Sequence, residues 1–368
     1  MIASKKSLKE AKNILFVVTG GLGRNIMSTA VVRNLKKAYP DKKLIVACGM
    51  PDVFLKNPNV YRTYNLSQPV FLYEDFIRNN KTIVIQVEPY QNYDYVYRKR
   101  HFVQVWCEMI GIGCDNIYPE IFFTDTEKKM AELYLHKFDK EMVLLQGEGG
   151  KPPPNNSEKE RIVARSLMYK RSLPTETMQK ITDKIIEKGY MVGSVGTENQ
   201  FYPSMAEKIN FSARAIIALI PYVAGVISID SFLQHGCAIF KKKATVLWGG
   251  TDPKVLGYEF HDNLVREVCP TPKCHRPNSY LWDFETTGHP WDCPYDDKCM
   301  NFSTEKVMKS FNSLTGGKDG RKKEERVDKQ READGCSKGH NPYGQPVRCK
   351  DKGLKDGKGG TPPEVSAG

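Results

Sequence analysis

Two rhythms of apolar and polar positions alternate along this chain. Short β-branched runs are separated by longer stretches with the spacing of an amphipathic helix. The clearest passage is Ala213–Pro253. Ser212 is placed to cap a helix whose apolar face runs through Ile216, Ile217, Leu219 and Ile220. Ala224–Ile229 then reads as a buried parallel strand, Phe232–Phe240 as a helix, Ala244–Trp248 as another buried strand, and Gly249–Gly250 as a turn. In an open α/β sheet, ligands sit beyond the carboxyl ends of the strands, where helix N-termini offer N–H groups to anions. Asp230, Ser231, Gly249, Gly250 and Thr251 are therefore expected to line one pocket for a phosphate-bearing ligand.

The same pattern extends in both directions. Lys12–Val18, the turn Thr19–Gly23, a helix from Arg24 to Tyr39 and Leu44–Cys48 form an opening βαβ unit. Further strands are expected at Val60–Asn65 and at Thr82–Val87, a buried one with Glu88 just past its end. Helices are expected at Tyr73–Arg78, from the Arg98–His101 cluster to Ile110, and over Thr126–Phe138. A second α/β unit follows, with strands at Glu141–Gln146, Tyr190–Val195 and Asn263–Val268 and helices at Pro174–Lys188 and Thr304–Leu314. Lys151–Ser157 is a stiff polar loop. The pattern predicts an α/β protein with a first domain over 1–139 and a second over 140–315. Residues 316–368, rich in Gly, Lys and Asp, cannot bury enough apolar surface to fold and are expected to be a disordered tail.

Charge changes this picture at one end. The net charge of +12 is uneven: residues 1–43 carry +8, residues 316–368 carry +4, and the middle is neutral. A basic first lobe suits an anionic partner, a nucleic acid or a phosphorylated glycan or lipid, although a solvated basic helix face reads equally well. Cys48, Cys107, Cys114 and Cys237 stand singly in apolar or mixed surroundings, as core thiols of a reducing compartment do. Ile14–Val18 is too short for a secretory signal, and Ala215–Ile229 is too short to span a bilayer and contains Pro221. A soluble cytoplasmic protein is expected, with contact at an inner membrane surface left open. Cys269, Cys274, Cys293 and Cys299 lack the close spacing of common zinc ligand pairs, so free thiols are expected rather than a metal site.

Gly20, Gly21 and Gly23 do not fit the dinucleotide fingerprint, and no acidic residue closes the second strand, which argues against a nicotinamide cofactor. The turn is better suited to letting a substrate approach the backbone. Several pieces, taken in order, resemble glycosyltransferase family 9, the heptosyltransferase-like enzymes. They are Gly21-Leu22-Gly23 with Ile26-Met27-Ser28-Thr29 and Arg33-Asn34-Leu35-Lys36, then Tyr39-Pro40 and Asn57-Pro58-Asn59-Val60. Lys170-Arg171-Ser172-Leu173-Pro174, Asp230-Ser231 with His235, Gly249-Gly250-Thr251-Asp252-Pro253, and Cys293-Pro294 with Cys299-Met300 continue the match. It covers about residues 12–312. It implies two Rossmann-like domains facing across a cleft, the GT-B arrangement.

The resemblance also implies a reaction: transfer of a sugar from a nucleotide-diphosphate sugar to a hydroxyl of an anionic acceptor, with inversion. The acceptor would be a lipopolysaccharide or glycan core, or a modified DNA base. Lys170, Asp230, Ser231, His235, Gly249, Gly250 and Thr251 would hold the donor, and Gly20, Gly21, Gly23 and Asn25 would form an acceptor-side loop. Neither cofactor nor metal is expected. The sequence departs from the family where an aspartate, the proposed catalytic base, usually follows Gly-Leu-Gly; here Arg24 stands. A guanidinium stays protonated and cannot be that base, but it can bind a phosphate or an anionic acceptor. Glu88 is the substitute base, with Asp94 and His101 behind it. Bland readings stand beside these: Glu88 as the cap of a loop, Asp230 as the cap of the following helix, and His235 as a satisfied core histidine. Arg24 in the base position also motivates the alternative of a sugar-nucleotide-binding protein without turnover.

Overall fold

Parallel strands buried on both faces need helices to cover them, and the apolar runs arrange themselves accordingly. The computed structural model describes residues 8, 10–78, 80–149, 171–198, 200–265 and 298–317. Lys170, the loop Lys151–Ser157, Cys269, Cys274, Cys293 and the expected tail beyond residue 317 lie outside them.

The first sheet contains β1 (Asn13–Val18), β2 (Lys43–Cys48), β3 (Arg62–Asn65) and β4 (Thr82–Ile85), all parallel, in the order β3-β2-β1-β4. Alternate residues of β1 face opposite ways. Ile14, Phe16 and Val18 pack with Ile26, Val31 and Leu35 of α1 (Leu22–Ala38) and with Phe102, Val103 and Trp106 of α2 (Phe102–Ile110). Leu15 packs on the other side with Ile45, Ala47, Tyr64 and Phe76. β4 is not the buried strand expected: it closes the sheet at an edge, and Val84 is 47% exposed. Tyr73–Ile77 forms a wide π turn rather than an α-helix.

After α3 (Asp125–Leu135) the second sheet begins. It comprises β5 (Met142–Leu145), β6 (Met191–Val195), β7 (Glu207–Ile209), β8 (Gly225–Ile229), β9 (Thr245–Trp248) and β10 (Asp262–Val265), again all parallel. Their order is β10-β9-β8-β5-β6-β7. Val143, Leu145, Ile227 and Leu247 point to α4 (Thr175–Glu187). The opposite face meets α5 (Ala213–Leu219) and α6 (Phe232–Ile239). A final helix, α7 (Thr304–Thr315), returns to the first of these faces through Val307 and Phe311. Ser212 caps α5 as its sequence promised, accepting from the Ala215 N–H at 3.3 Å. The short edge strand β7 carries too few apolar residues to be read from the pattern.

Both sheets reverse direction once. In the first, the chain works outward from β1 through β2 to β3 and then restarts at β4 on the other side of β1. In the second, β5 leads out to β7, and β8 restarts on its other side. This is the doubly wound arrangement, and its ligand crevice lies at the reversal, beyond the carboxyl ends of the two strands that flank it. Both lobes fall in one compact unit, Met1–Arg321. A single apolar cluster runs from β1 and α1 to α5, α6 and the near face of the second sheet. Arg214, 5% exposed on the first turn of α5, ties the lobes further. Its guanidinium donates to both Glu127 carboxylate oxygens and to the carbonyls of Asp52 and Phe122. That hydrogen bonding holds the Glu127 carboxyl at about 2, well below its usual range.

Candidate functional site

A cavity of about 640 Å³ lies over the carboxyl ends of β5–β9, closed on its far side by the first turn of α1 and by Tyr90 and Tyr95. The second sheet supplies its floor: Gln146 and Glu148 beyond β5, Thr197 beyond β6, Asp230 and Ser231 beyond β8, and Thr251 beyond β9. Ser231 is the N-cap of α6, with extended backbone at φ −154°, yet its side chain makes no capping bond. Instead its hydroxyl accepts from Gln146 Nε2 at 3.0 Å, which bridges the reversal between β5 and β8. The first turn of α6 therefore faces the cavity with N–H groups that no side chain caps, at the positive end of the helix dipole.

Arg171 enters from the turn before α4. Its Nε donates to the Asp230 carbonyl at 3.1 Å, Nη2 donates to the same oxygen, and Nε lies 3.7 Å from the Asp230 carboxylate. Asp230 does not cap the helix; Ser231 occupies that position. Glu148 accepts from the Phe201 N–H at 3.2 Å, and desolvation raises its carboxyl above the usual range. Arg24 Nε, Gln146 Oε1 and Thr251 Oγ1, buried polar atoms of lining residues, have no hydrogen-bond partner among the described residues. Buried polar groups are nearly always satisfied, so this set marks a surface suited to a polar ligand.

His235 meets both of its expected descriptions. It borders the cavity, and it is 3% exposed with Nδ1 at 3.1 Å from the Tyr258 hydroxyl. Burial, reinforced by His101 and His261, holds its imidazole neutral, well below its ordinary pKa. His101, His235 and His261 surround the Tyr258 ring at centroid distances of 5.6, 5.8 and 5.8 Å. Burial brings His101 and His261 down to about 4. A Cβ added at Gly23 would stand 3.1 Å from His235 Cδ2, so the α1 backbone rests directly on the imidazole.

The first lobe's reversal point is built differently. Gly20 takes φ +89°, a left-handed conformation that favours glycine, and Gly21 is the N-cap of α1. Asn25 is fully buried behind this loop, donating to the carbonyls of Gly20 at 3.2 Å and Gly21 at 2.9 Å; it shapes the turn and does not border the cavity. Arg24 does border it, at 6% exposure. Its Nη1 binds both Glu88 carboxylate oxygens at 3.1 and 2.8 Å, and its Nη2 donates to the Val87 carbonyl at 3.2 Å. The guanidinium lies 5.1 Å from the Trp106 ring and 5.4 Å from that of Tyr90. Glu88 sits behind Arg24, outside the cavity wall, and also accepts from the Tyr90 N–H at 3.3 Å. The pair with Arg24 occupies both of its carboxylate oxygens. Asp94 is bound to Arg100 Nε at 2.7 Å and lies away from the cavity, as does His101. Gly249 and Gly250 are buried just past β9, with Thr251 alone of that turn on the wall.

Arg171, Gln146, Glu148, Tyr90 and Tyr95 complete the wall without having been singled out in the sequence. Arg171 had a signal, adjacent to Lys170 in the quoted segment. Gln146 and Glu148 had only their place at the end of a strand, and strand order is what makes that place matter. Among the described residues, no group of three or more His, Cys, Asp or Glu side chains is arranged to hold a metal ion.

No protein-family model and no curated protein sequence matches the chain. Solved structures do. A glycosyl transferase family 9 protein from Veillonella parvula aligns with a TM-score of 0.54 at 14% identity, covering 83% of this chain and 97% of the other. The ADP-heptose LPS heptosyltransferase II of E. coli aligns at 0.54 and 12% identity, over 82% and 98% of the two chains. TibC, an iron-containing dodecameric glycosyltransferase from enterotoxigenic E. coli, aligns at 0.55 and 11% identity, over 83% and 77%. The resemblance read from the scattered motifs thus holds at the level of architecture: the chain has the two-lobed GT-B fold of the family 9 glycosyltransferases and heptosyltransferases, at a sequence distance where only the fold is shared.

Proposed function

We propose that this chain is a glycosyltransferase that takes a sugar from a nucleotide-diphosphate donor and passes it, with inversion, to a hydroxyl of an anionic acceptor. The observation that carries the reading is the uncapped first turn of α6 at the β5/β8 reversal, set among Arg171, Gln146 and Thr251. A pyrophosphate fits that place. The helix N–H groups, the Arg171 guanidinium and the Thr251 hydroxyl would bear the charge that builds on the departing diphosphate. Glu148 and Gln146 offer hydrogen-bond partners to a nucleoside. TibC has been solved in complex with ADP-D-β-D-heptose, which supports an adenine nucleotide sugar as the first donor to test.

The lobe boundary is taken between α3 and β5, near residue 139, with the acceptor entering on the side of Gly21, Arg24 and Tyr90. Arg24 would receive an anionic group of the acceptor or donor, releasing Glu88 to take the hydroxyl proton. A lipopolysaccharide core is the acceptor class that the structural relatives support; a modified DNA base fits the basic first lobe. Among the described residues no helix is long and apolar enough to cross a membrane, and peripheral contact with an inner membrane surface belongs to this reading. The Arg24–Glu88 pair supports the second reading, binding without turnover, for as long as both carboxylate oxygens stay occupied.

One experiment separates the readings. The protein is mixed with a panel of nucleotide sugars and acceptors, with heat of binding and diphosphate release followed in parallel. Binding with acceptor-dependent release supports transfer, and binding with none supports the non-catalytic reading. Absence of heat with every donor would reject both.

A further inference from the structure

One face of the first sheet is thinly covered. On it Leu15, Ile45, Ala47 and Tyr64 pack with Phe76, which comes from the π turn Tyr73–Ile77. β4 continues the same face, because Val84 stands in register beside Leu15, and there the side chain is exposed. The segment that leads into the π turn adds more apolar surface. Val70, Phe71 and Tyr73 are exposed, Phe71 at 68%. Tyr61 is exposed as well, with its ring 6.0 Å from that of Phe76.

Phe71 is presented by a defined turn. Its φ of 63° lies in the left-handed region, which glycine adopts freely and a bulky residue rarely does. The Leu72 N–H donates to the Pro69 carbonyl at 3.1 Å, and the Asp75 N–H donates to the Phe71 carbonyl at 2.8 Å. Asp75 in turn accepts from the Tyr64 hydroxyl at 3.0 Å and pairs with Arg62 at 3.3 Å. Apolar surface gathered and exposed in this way marks a contact with something outside the chain. Charge identifies what. The Lys12 N–H donates to the Lys81 carbonyl at 2.7 Å, and Asn13 stands in register with Lys43, so these exposed lysines line the amino edge of the central strands. Lys43 Nζ lies 4.3 Å from the centre of the Tyr61 ring. The nearby acids Glu74 and Asp75 pair with Arg78 and Arg62, so the lysines set the sign of the patch.

We infer that this patch docks the protein on a bilayer surface that contains anionic phospholipid. Val70 and Phe71 enter the boundary between headgroups and acyl chains. Tyr61 and Tyr73 lie at headgroup level, where amphipathic rings are favoured, and Lys43 and Lys81 meet the lipid phosphates. Such docking gives the membrane contact of the proposed function its surface and rests on that reading, but not on what the cavity binds.

The test is co-sedimentation of the full chain with vesicles, one set of phosphatidylglycerol and phosphatidylcholine, the other of phosphatidylcholine alone. No nucleotide sugar is present, so a failure of the transfer reaction leaves the result untouched. The expected result is binding to the anionic vesicles that weakens as salt is raised, and little binding to the neutral ones. Phe71→Gly removes the ring at a backbone angle that suits glycine, so its melting temperature should hold while vesicle affinity falls about tenfold. Phe71→Trp should keep the affinity, and Lys43→Gln with Lys81→Gln should lower it and flatten its salt dependence. Wild-type protein that stays in the supernatant, or Phe71→Gly that binds as the wild type does, would overturn the assignment. So would a Phe71→Gly variant that unfolds, since the ring would then belong to the fold. Sedimentation velocity adds the remaining outcome: a dimer that Phe71→Gly dissolves would give the patch to a second copy of the chain and overturn the membrane assignment.

Discussion

The two reversal points of this molecule share a topology and differ in what fills them. At β5/β8 the Gln146 amide is bonded to the Ser231 hydroxyl, Arg171 meets Asp230 beside them, and the helix that starts there is left without a side-chain cap. At β1/β4 the corresponding space is occupied by Arg24, bound on both oxygens of Glu88 and backed by Trp106. One crevice leaves helix N–H groups without a side-chain cap. The other is filled by an ion pair of its own. The difference teaches that a doubly wound fold supplies the place for a ligand, and that the few residues after each strand decide whether the place is open.

Breaking the closed crevice should have the largest effect. Glu88→Gln keeps the shape but removes the proton acceptor. Turnover is expected to fall about a thousandfold, in line with the loss of general base catalysis, while calorimetric donor affinity stays unchanged. Full activity in that variant would leave Glu88 as a loop cap and nothing more. Next comes the open crevice: Arg171→Ala removes a charged donor from beside the α6 N-terminus, and donor affinity should drop about a hundredfold. An unchanged dissociation constant would take Arg171 out of the site and make the two crevices harder to tell apart.

Where the lobes meet, acid should act before it acts elsewhere. His101 comes from the first lobe and His261 from the second, and both have folded pKa values of about 4 against an ordinary 6.5. Above 6.5 neither the folded nor the unfolded chain protonates them. As pH falls from 6.5 towards 4 the unfolded chain takes up protons first, so stability drops across that window. Glu127 has the opposite sense: its contribution is complete above 4.5 and is lost only as pH falls towards about 2. Melting temperatures that stay level between 6.5 and 4 would show that the imidazoles do not stay neutral in the fold. The smallest expected effect is that of Gly23→Ala. Its new methyl group meets the His235 ring at 3.1 Å, which should cost about 1 kcal/mol in chemical denaturation. A neutral result would mean that the lobes shift apart easily at this contact.

Much of the architecture was legible from the sequence because β-branched runs bounded by glycine turns leave few alternatives to parallel strands. Ser212, Asp230 and Ser231 fell where the pattern put them. What the pattern could not carry was lateral order. Val84 looks buried in sequence and is exposed because β4 ends its sheet, and nothing local to Thr82–Ile85 says so. Gln146 and Arg171 are distant in sequence from Ser231 and Asp230, and only the placing of β8 beside β5 brings them together.

The bare beginning of α6 has a consequence for anyone wishing to make this protein sturdier. An aspartate in place of Ser231 would be a routine improvement to such a helix, contributing about 1 kcal/mol. If the donor's pyrophosphate binds there, as proposed, the new carboxylate would compete with it, and the gain in heat resistance would come with weaker donor binding. With its hydroxyl turned towards Gln146, Ser231 leaves α6 less stable than a capped helix would be, and its first N–H groups stay uncovered by any side chain.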